Sequence, residues 1–355
     1  MSATTPSAPP PVGRRRFLRG AAFTVTAAAA GPALAACGSP AASGGGGDGR
    51  LTFLSPLPLD TLALAPELLA VAGGHFTKHG LDVRLQAARG TPQAMQTLLS
   101  GIAPVARVGQ IDIMTAITER NQPLVNIATP FRTSTVRLIY SKRRPVNKPE
   151  DLIGKTMGVP SEGGTSDKVV SLILASAGID PKRTKRQVVG LSPGTFDLVQ
   201  RGRLAGYVVS TDTANVLINQ NPDAAMFDPA KYVKADSQAY VTTKDALKKE
   251  AEGLRAFLAG IHDAMTELVA DKTFDGVLRK LRGRYSFATL DDDKIAKASL
   301  SMLRESWTGG DPNRPLLVTE QNAWAAGYKE LTDAGILKPG ADPSSWYDNG
   351  LLPKS

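Results

Sequence analysis

One serine has the spacing of a hydrolase nucleophile. Residues 190–194 read Gly-Leu-Ser-Pro-Gly after a predicted strand, which fits the pattern G-x-S-x-G. In that arrangement the backbone N–H of the residue after the serine stabilises the oxyanion. Here that residue is Pro193, which has no N–H. The only histidine further along the chain is His262, in a predicted helix with no evident route to Ser192. The pattern therefore does not predict a hydrolase.

Two histidines, His75 and His79, have the i, i+4 spacing that could hold a metal on one helix face. No glutamate lies between them, and Lys78 and Gly80 indicate a helix C-terminus, where cationic side chains are favourable. The sequence has one cysteine and three histidines in 355 residues. These counts exclude a disulfide framework and a cysteine-rich zinc module. We expect neither a metal nor a cofactor, and no catalytic residue.

The first residues predict export and a lipid anchor. Residues 14–19, Arg-Arg-Arg-Phe-Leu-Arg, resemble a twin-arginine signal and precede an uncharged, alanine-rich stretch too short for a comfortable membrane span. Residues 34–37, Leu-Ala-Ala-Cys, resemble a bacterial lipobox, in which Cys37 receives the lipid. We therefore expect a signal peptide over 1–36 and a glycine- and serine-rich tether over 37–49. Several acyl chains would hold the protein stably on the extracytoplasmic face of the membrane.

The basic balance of the chain is largely a property of this signal. Lys and Arg number 42 and Asp and Glu 33, a formal charge of +9, but four of the arginines lie within residues 14–19. The remaining basic runs, at 142–144 and 182–186, fall on predicted surface loops. Such runs are usually solvated, and an exported protein rarely meets nucleic acid. We do not expect nucleic acid as a partner.

From residue 51 short apolar strands alternate with amphipathic helices, which is typical of βαβ units on a mainly parallel sheet. The pattern predicts strands at residues 51–54, 82–86, 106–108, 124–128, 156–159, 186–189 and 206–209. It predicts helices at residues 60–72, 91–99, 112–119, 166–177, 193–200 and 212–219, then at 244–271, 273–282, 291–306 and 319–334. The fold class is therefore α/β with a helical C-terminal part.

The order of elements occurs twice. A hydroxyl residue and a proline open a helix at 91–92 and again at 192–193, and a glycine follows ten residues after each hydroxyl. Each helix is followed by a strand and then by Asp112 or Asp212, which we interpret first as N-caps. The repeat predicts two similar lobes: lobe I from 50–138 plus 239–355, and lobe II from 139–238. Residues 136–141 and 239–243 are the expected crossings between them.

Three segments resemble one family. Residues 69–83, 98–101 and 148–159 resemble motifs of bacterial solute-binding proteins that serve ABC importers of thiamine-pyrimidine precursors, aliphatic sulfonates, taurine and nitrate. The resemblance covers residues 51–337 and implies a two-lobe periplasmic-binding-protein type II fold with a ligand cleft between the lobes. It also implies a monomer that delivers its ligand to an ABC permease. Residues 202–206 lack the aspartate common at that place in the family, so contacts beside the following strand are not carried over.

Ligands of open α/β sheets bind beyond the carboxyl ends of the strands, so the loops there supply the candidate contacts. Gly163 and Gly164 allow backbone to approach an anion at a helix N-terminus, or form a plain turn. Arg132 could pair with an anion or lie in solvent, and Phe131 could stack on a ring or fill the core. Asp60 is a helix cap or a partner for a cation. The expected ligand contacts are Leu57, Asp60, Gln93, Gln110, Asp112, Phe131, Arg132, Gly163, Gly164, Thr165, Ser166, Ser210, Thr211 and Asp212.

The sequence thus predicts a lipid-anchored receptor that closes two lobes around a small polar organic molecule or anion. A sensory or adhesion lipoprotein with the same fold is one alternative. An enzyme similar to pyrimidine-phosphate synthases is another, although that group resembles a cysteine-rich, histidine-using site and the only cysteine here is Cys37.

Overall fold

Two five-stranded mixed sheets organise the protein, whose computed structural model describes residues 49–354. All described residues fall in one compact unit. The strands of the first sheet are β1 (Arg50–Ser55), β2 (Asp82–Ala87), β3 (Val105–Gly109), β4 (Leu124–Phe131) and β10 (Gln238–Thr243). Those of the second are β5 (Val136–Ser141), β6 (Thr156–Val159), β7 (Lys185–Val188), β8 (Gly206–Ser210) and β9 (Ala224–Phe227).

The two sheets have the same topology. The first has the order β2-β1-β3-β10-β4 and the second β7-β6-β8-β5-β9. In each, the first three strands are parallel and the fourth runs antiparallel to its neighbours. β1 therefore corresponds to β6, and β3 to β8. The predicted duplication of the element order is confirmed, and we call the parts built on the two sheets lobe I and lobe II.

Helices follow most strands, as the alternating pattern predicts. Their bounds are α1 (Ala65–Ala72), α2 (His75–Lys78), α3 (Thr91–Leu99), α4 (Gln110–Arg120), α5 (Thr165–Ala175), α6 (Phe196–Gln200), α7 (Thr211–Gln220), α8 (Lys244–Lys249), α9 (Ala251–Ala270), α10 (Asp275–Arg282), α11 (Ala288–Asp291), α12 (Asp293–Thr308) and α13 (Gln321–Asp333). The single helix predicted over 244–271 is in fact α8 and α9, with a break at Glu250.

The crossings between the lobes lie elsewhere than predicted. Residues 136–141 form β5, inside the second sheet, and β10 lies inside the first. The connections are instead residues 132–135 and 228–237, between β4 and β5 and between β9 and β10. Both segments predicted as crossings are apolar, and each forms a strand that pairs antiparallel with two neighbours.

The apolar core continues from one lobe to the other. One cluster covers one face of the first sheet, against α1, α9, α10 and α12. A second cluster joins the opposite face of that sheet to lobe II, and it includes Val108, Val159 and Trp324. A third covers the remaining face of the second sheet. In residues 49–354 no helix combines the length and apolar character needed to cross a membrane.

Candidate functional site

A cavity of about 360 Å³ lies between the lobes, at the carboxyl ends of β1, β7 and β8. This is the position where open α/β sheets bind ligands. Lobe I contributes the loop after β1 and the start of α11, and lobe II contributes the loop after β7 and the start of α7. The described residues that line it are Leu57, Pro58, Asp60, Thr61, Gly190, Leu191, Ser192, Pro193, Ser210, Thr213, Val216, Phe287, Ala288 and Thr289.

The wall of this cavity combines apolar side chains with hydroxyls and one carboxylate. Leu57, Val216 and Phe287 supply apolar surface, and Asp60 is an exposed acid at the rim. Among the described residues that line the cavity, none is Lys, Arg or His. The arrangement suits a small molecule with an apolar body.

Asp212, at the start of α7, connects the lobes beside this cavity. Its carboxylate is 1% exposed and accepts the Thr61 hydroxyl at 2.8 Å and the Leu62 backbone N–H at 2.8 Å, both from lobe I. The Ser210 hydroxyl donates to it at 2.5 Å and the Thr289 hydroxyl at 3.3 Å. Asp212 is therefore not the N-cap of α7, which is Ser210, but the centre of an interlobe network.

Asp112 also connects the lobes, but here the carboxylate belongs to lobe I and its partners belong to lobe II. It lies in α4 of lobe I and is 4% exposed. It accepts the Thr165 hydroxyl, and its other oxygen pairs with Lys168 at 2.6 Å, both from α5 of lobe II. The Thr165 hydroxyl also lies 3.2 Å from that of Thr91. This network borders a second cavity of about 600 Å³ between α3, α4 and α5.

Beside the Asp112 network, backbone of lobe I closely approaches side chains of lobe II. A Cβ on Gly109 would lie 2.6 Å from the Thr165 side chain, and one on Gly90 would lie 2.8 Å from the Ser161 hydroxyl oxygen. Gly90 also has a φ of +83°, which favours glycine. Side chains at these two positions would force the lobes apart.

An unpaired carboxyl lies in the second crossing. Asp236 is 2% exposed, and neither of its oxygens accepts a hydrogen bond of good geometry. Burial raises its pKa to about 7, with the nearby charges of Asp112 and Glu330 in the same direction, while the Ser134 hydroxyl and Arg137 oppose the shift. Asp236 thus lies within residues 228–237, one of the two connections between the lobes.

Two predicted ligand contacts, Phe131 and Arg132, do not line the 360 Å³ cavity. Phe131 is fully buried, with its ring 6.1 Å from that of Trp307, so it fills the core and does not stack on a ligand. Arg132 pairs with Glu320 at 2.8 Å and donates to the Pro315 carbonyl at 2.6 Å. Burial lowers its pKa. It lines a separate cavity of about 210 Å³ at the base of α13.

Other predicted residues have structural partners. Gln110 and Thr211 contact the two connections between the lobes. Gln110 accepts the Ser237 hydroxyl at 2.7 Å, and the Thr211 hydroxyl donates to the Thr135 carbonyl at 3.0 Å. Gln93, in the first turn of α3, accepts the N–H of Arg89 from the preceding loop. Of the remaining predicted residues, those that line the 360 Å³ cavity are Leu57, Asp60 and Ser210. Gly163 lines the 600 Å³ cavity.

Gly164 is the N-cap of α5, where Ser166 is the second residue, and its backbone faces Ser161. Asp60 does not cap a helix, because the side-chain cap after β1 is Thr61. Cys37 and the export signal lie outside the described residues, so their roles stay predictions.

Two of the three histidines, His75 and His79, contact carboxylates. His75 meets Glu267 at 3.0 Å and His79 meets Asp263 at 3.1 Å, so each imidazole contacts a different carboxylate on α9. Ser192 lines the 360 Å³ cavity, but Pro193 follows it and both of these histidines are occupied elsewhere.

Sequence reasoning missed two features. Phe287 and Thr289 line the cavity but come from a stretch between predicted helices, more than 200 residues from the loop after β1, and no local signal marks them. The second feature is a fully buried ion pair beneath this loop, Arg107 with Glu67 at 3.1 Å, to which the Tyr240 hydroxyl donates at 2.9 Å. Burial and the Glu67 charge raise the pKa of Tyr240 well above its usual value.

Similar proteins share this architecture. The chain is 24% identical over 263 residues to the formylaminopyrimidine-binding protein of Halalkalibacterium halodurans, covering 72% of this chain and 77% of that protein. The alkanesulfonate-binding protein of Xanthomonas axonopodis pv. citri, solved bound to MOPS, superposes with a TM-score of 0.65 at 11% identity, over 84% of this chain and 98% of that one. A Candida albicans protein with the generic periplasmic-binding-protein fold gives 0.64 at 16% identity, over 86% and 98%.

These superpositions confirm the predicted fold class, a two-lobe α/β periplasmic-binding-protein fold. At the level of sequence, residues 62–272 match the family described as NMT1/THI5 like. This segment is more than half of the chain and includes the loops after β6, β7 and β8. The chain therefore belongs to the NMT1/THI5-like family.

Proposed function

We propose that the protein is an extracytoplasmic solute-binding receptor of an ABC import system, anchored by a lipid on Cys37. The observation that carries the proposal is the 360 Å³ cavity, which elements of both lobes enclose at the carboxyl ends of parallel strands. A ligand held there contacts both lobes, and it therefore favours the closed arrangement over the open one. The likeness to a formylaminopyrimidine-binding protein supports a small heterocycle as the ligand.

The division into lobes fits this function. Both connections, residues 132–135 and 228–237, run between the sheets, so a hinge motion about them opens the cleft. Asp112 and Asp212 make their contacts across the cleft, so these contacts form only on closure. A permease that docks on both lobes would distinguish the loaded receptor from the empty one. We propose binding and delivery, without covalent chemistry.

Isothermal titration calorimetry with formylaminopyrimidine, an alkanesulfonate, MOPS and nitrate tests the binding step. A Val216→Trp variant, which fills the cavity, should abolish binding, whereas Ala326→Trp, at an exposed position of α13 that lines a different cavity, should leave it intact. Binding that survives the cavity-filling change would refute this location. In cells, Cys37→Ala should release the protein from the membrane fraction, and retention there would refute the lipid anchor.

A further inference from the structure

The hydroxyls at the cavity wall share one acceptor. Thr61, Ser210 and Thr289 all line the cavity, and all three donate to the carboxylate of Asp212, at 2.8, 2.5 and 3.3 Å. Asp212 itself is 1% exposed and lies behind them. Thr61 and Thr289 belong to lobe I and Ser210 to lobe II, so this set of hydroxyls is complete only when the lobes meet.

A hydroxyl has one hydrogen and two lone pairs. Once that hydrogen is given to Asp212, the oxygen has only lone pairs left, and one lone pair of Thr61 already accepts the Ala63 N–H at 3.1 Å. The same holds for Thr213. Its hydroxyl oxygen lies 2.9 Å from that of Ser210, whose hydrogen is already donated to Asp212. Thr213 must then donate to Ser210. Asp60, at the rim, is also an acceptor when ionised.

We propose that Asp212 is a positioning residue that turns the hydroxyls of Thr61, Ser210, Thr213 and Thr289 into hydrogen-bond acceptors, beside the Asp60 carboxylate. The ligand is consequently a hydrogen-bond donor with an apolar body, such as an amino-substituted or cationic heterocycle, and carries no negative charge. This inference rests on the receptor function proposed above and sharpens it. The oxygens of a sulfonate or nitrate would face the lone pairs of these hydroxyls. Among the described residues of the wall, no Lys, Arg or His would offset the repulsion.

Matched probes test the ligand class. Calorimetry on the intact protein would compare 4-amino-2-methylpyrimidine with 4-methoxy-2-methylpyrimidine, which lacks the donor, and with MOPS and nitrate. One neutral hydrogen bond corresponds to about a tenfold preference for the amino probe. An anion that binds more tightly than the amino probe would overturn the inference while leaving a receptor. If no probe binds, the receptor function fails together with the ligand class.

Asp212→Asn tests the positioning role. The amide must donate to one neighbouring hydroxyl, whose hydrogen then turns towards the cavity and removes an acceptor. The preference for the amino probe should fall from about tenfold to about threefold or less. If Asp212 had a merely structural role, the substitution would lower the affinity for both probes equally. An unchanged ratio of the two affinities would overturn the proposal. Asp112→Asn, in the corresponding network on the other side, is the matched control and should leave the ratio unchanged.

The hydroxyl orientation can be measured without a ligand or a variant. A neutron structure of the deuterium-exchanged protein should show the deuterium atoms of Thr61, Ser210 and Thr289 directed at Asp212. Deuterium of Thr61 or Ser210 directed into the cavity would overturn the proposal, whatever the calorimetry shows.

Discussion

Asp236→Asn should stabilise the protein at alkaline pH relative to the unsubstituted chain and have much less effect at acidic pH. The Asp236 carboxyl is buried without a hydrogen bond of good geometry, and burial raises its pKa from the ordinary 3.8 to about 7. Between these two values the folded protein keeps a proton that the unfolded chain has lost. The free energy of unfolding therefore falls as pH rises through this window and levels off above about pH 7.

The size of the effect follows from the two pKa values. One pKa unit corresponds to about 1.4 kcal/mol, and from pH 4.5 to pH 8 linkage between 3.8 and about 7 gives a loss of about 3 kcal/mol. Asparagine cannot ionise, so this loss is absent in the variant. Other groups titrate in both proteins alike and cancel in the difference.

Urea unfolding of both proteins at half-unit pH steps measures this difference directly. Asp333→Asn is the control, since Asp333 is 63% exposed and pairs with Lys329 on the surface of α13. The free energy of unfolding of Asp333→Asn should differ from that of the unsubstituted protein by less than about 0.5 kcal/mol at every pH tested. A difference for Asp236→Asn that stays below 1 kcal/mol, or that grows towards low pH, would refute the reasoning.

Two further changes test the buried charges. Glu67→Gln leaves the Arg107 guanidinium buried without its carboxylate, and should lower the free energy of unfolding by about 3–5 kcal/mol in urea titrations. The double variant Glu67→Gln, Arg107→Met should recover most of the loss, and a single variant within 1 kcal/mol of the parent would contradict this role. Lys168→Met removes the cation beside Asp112 and should weaken ligand binding about tenfold by calorimetry, while Lys168→Arg should retain it.

Much of the fold could be predicted because the alternation of apolar strands and amphipathic helices is a local signal. The seven predicted strands all exist, and the helix predicted over 91–99 matches α3 at both ends. The antiparallel strands β5 and β10 were mistaken for crossings. Each belongs to a sheet whose other strands come from distant parts of the chain, so their pairing partners leave no mark near them in sequence.

The candidate site was predictable only in part, for the same reason. Loops after parallel strands were expected to meet, and Leu57, Asp60 and Ser210 do line one cavity. Phe287 comes from the helical C-terminal part, and its position depends on how that part packs on lobe I. Arg132 carries the positive charge that could bind an anionic ligand. Glu320, 188 residues later in the chain, already pairs with it.

The duplicated topology explains why the two interlobe networks exist and which one borders the proposed ligand site. Asp112 follows β3 and reaches Thr165 after β6, and Asp212 follows the corresponding β8 and reaches Thr61 after β1. The exchange is reciprocal, but the chemistry differs. Lys168 compensates Asp112, whereas Asp212 has only hydroxyl and backbone N–H donors. The uncompensated negative charge therefore lies beside the cavity that contains Asp60 and no described cation, which favours a donor or a cation there over an anion.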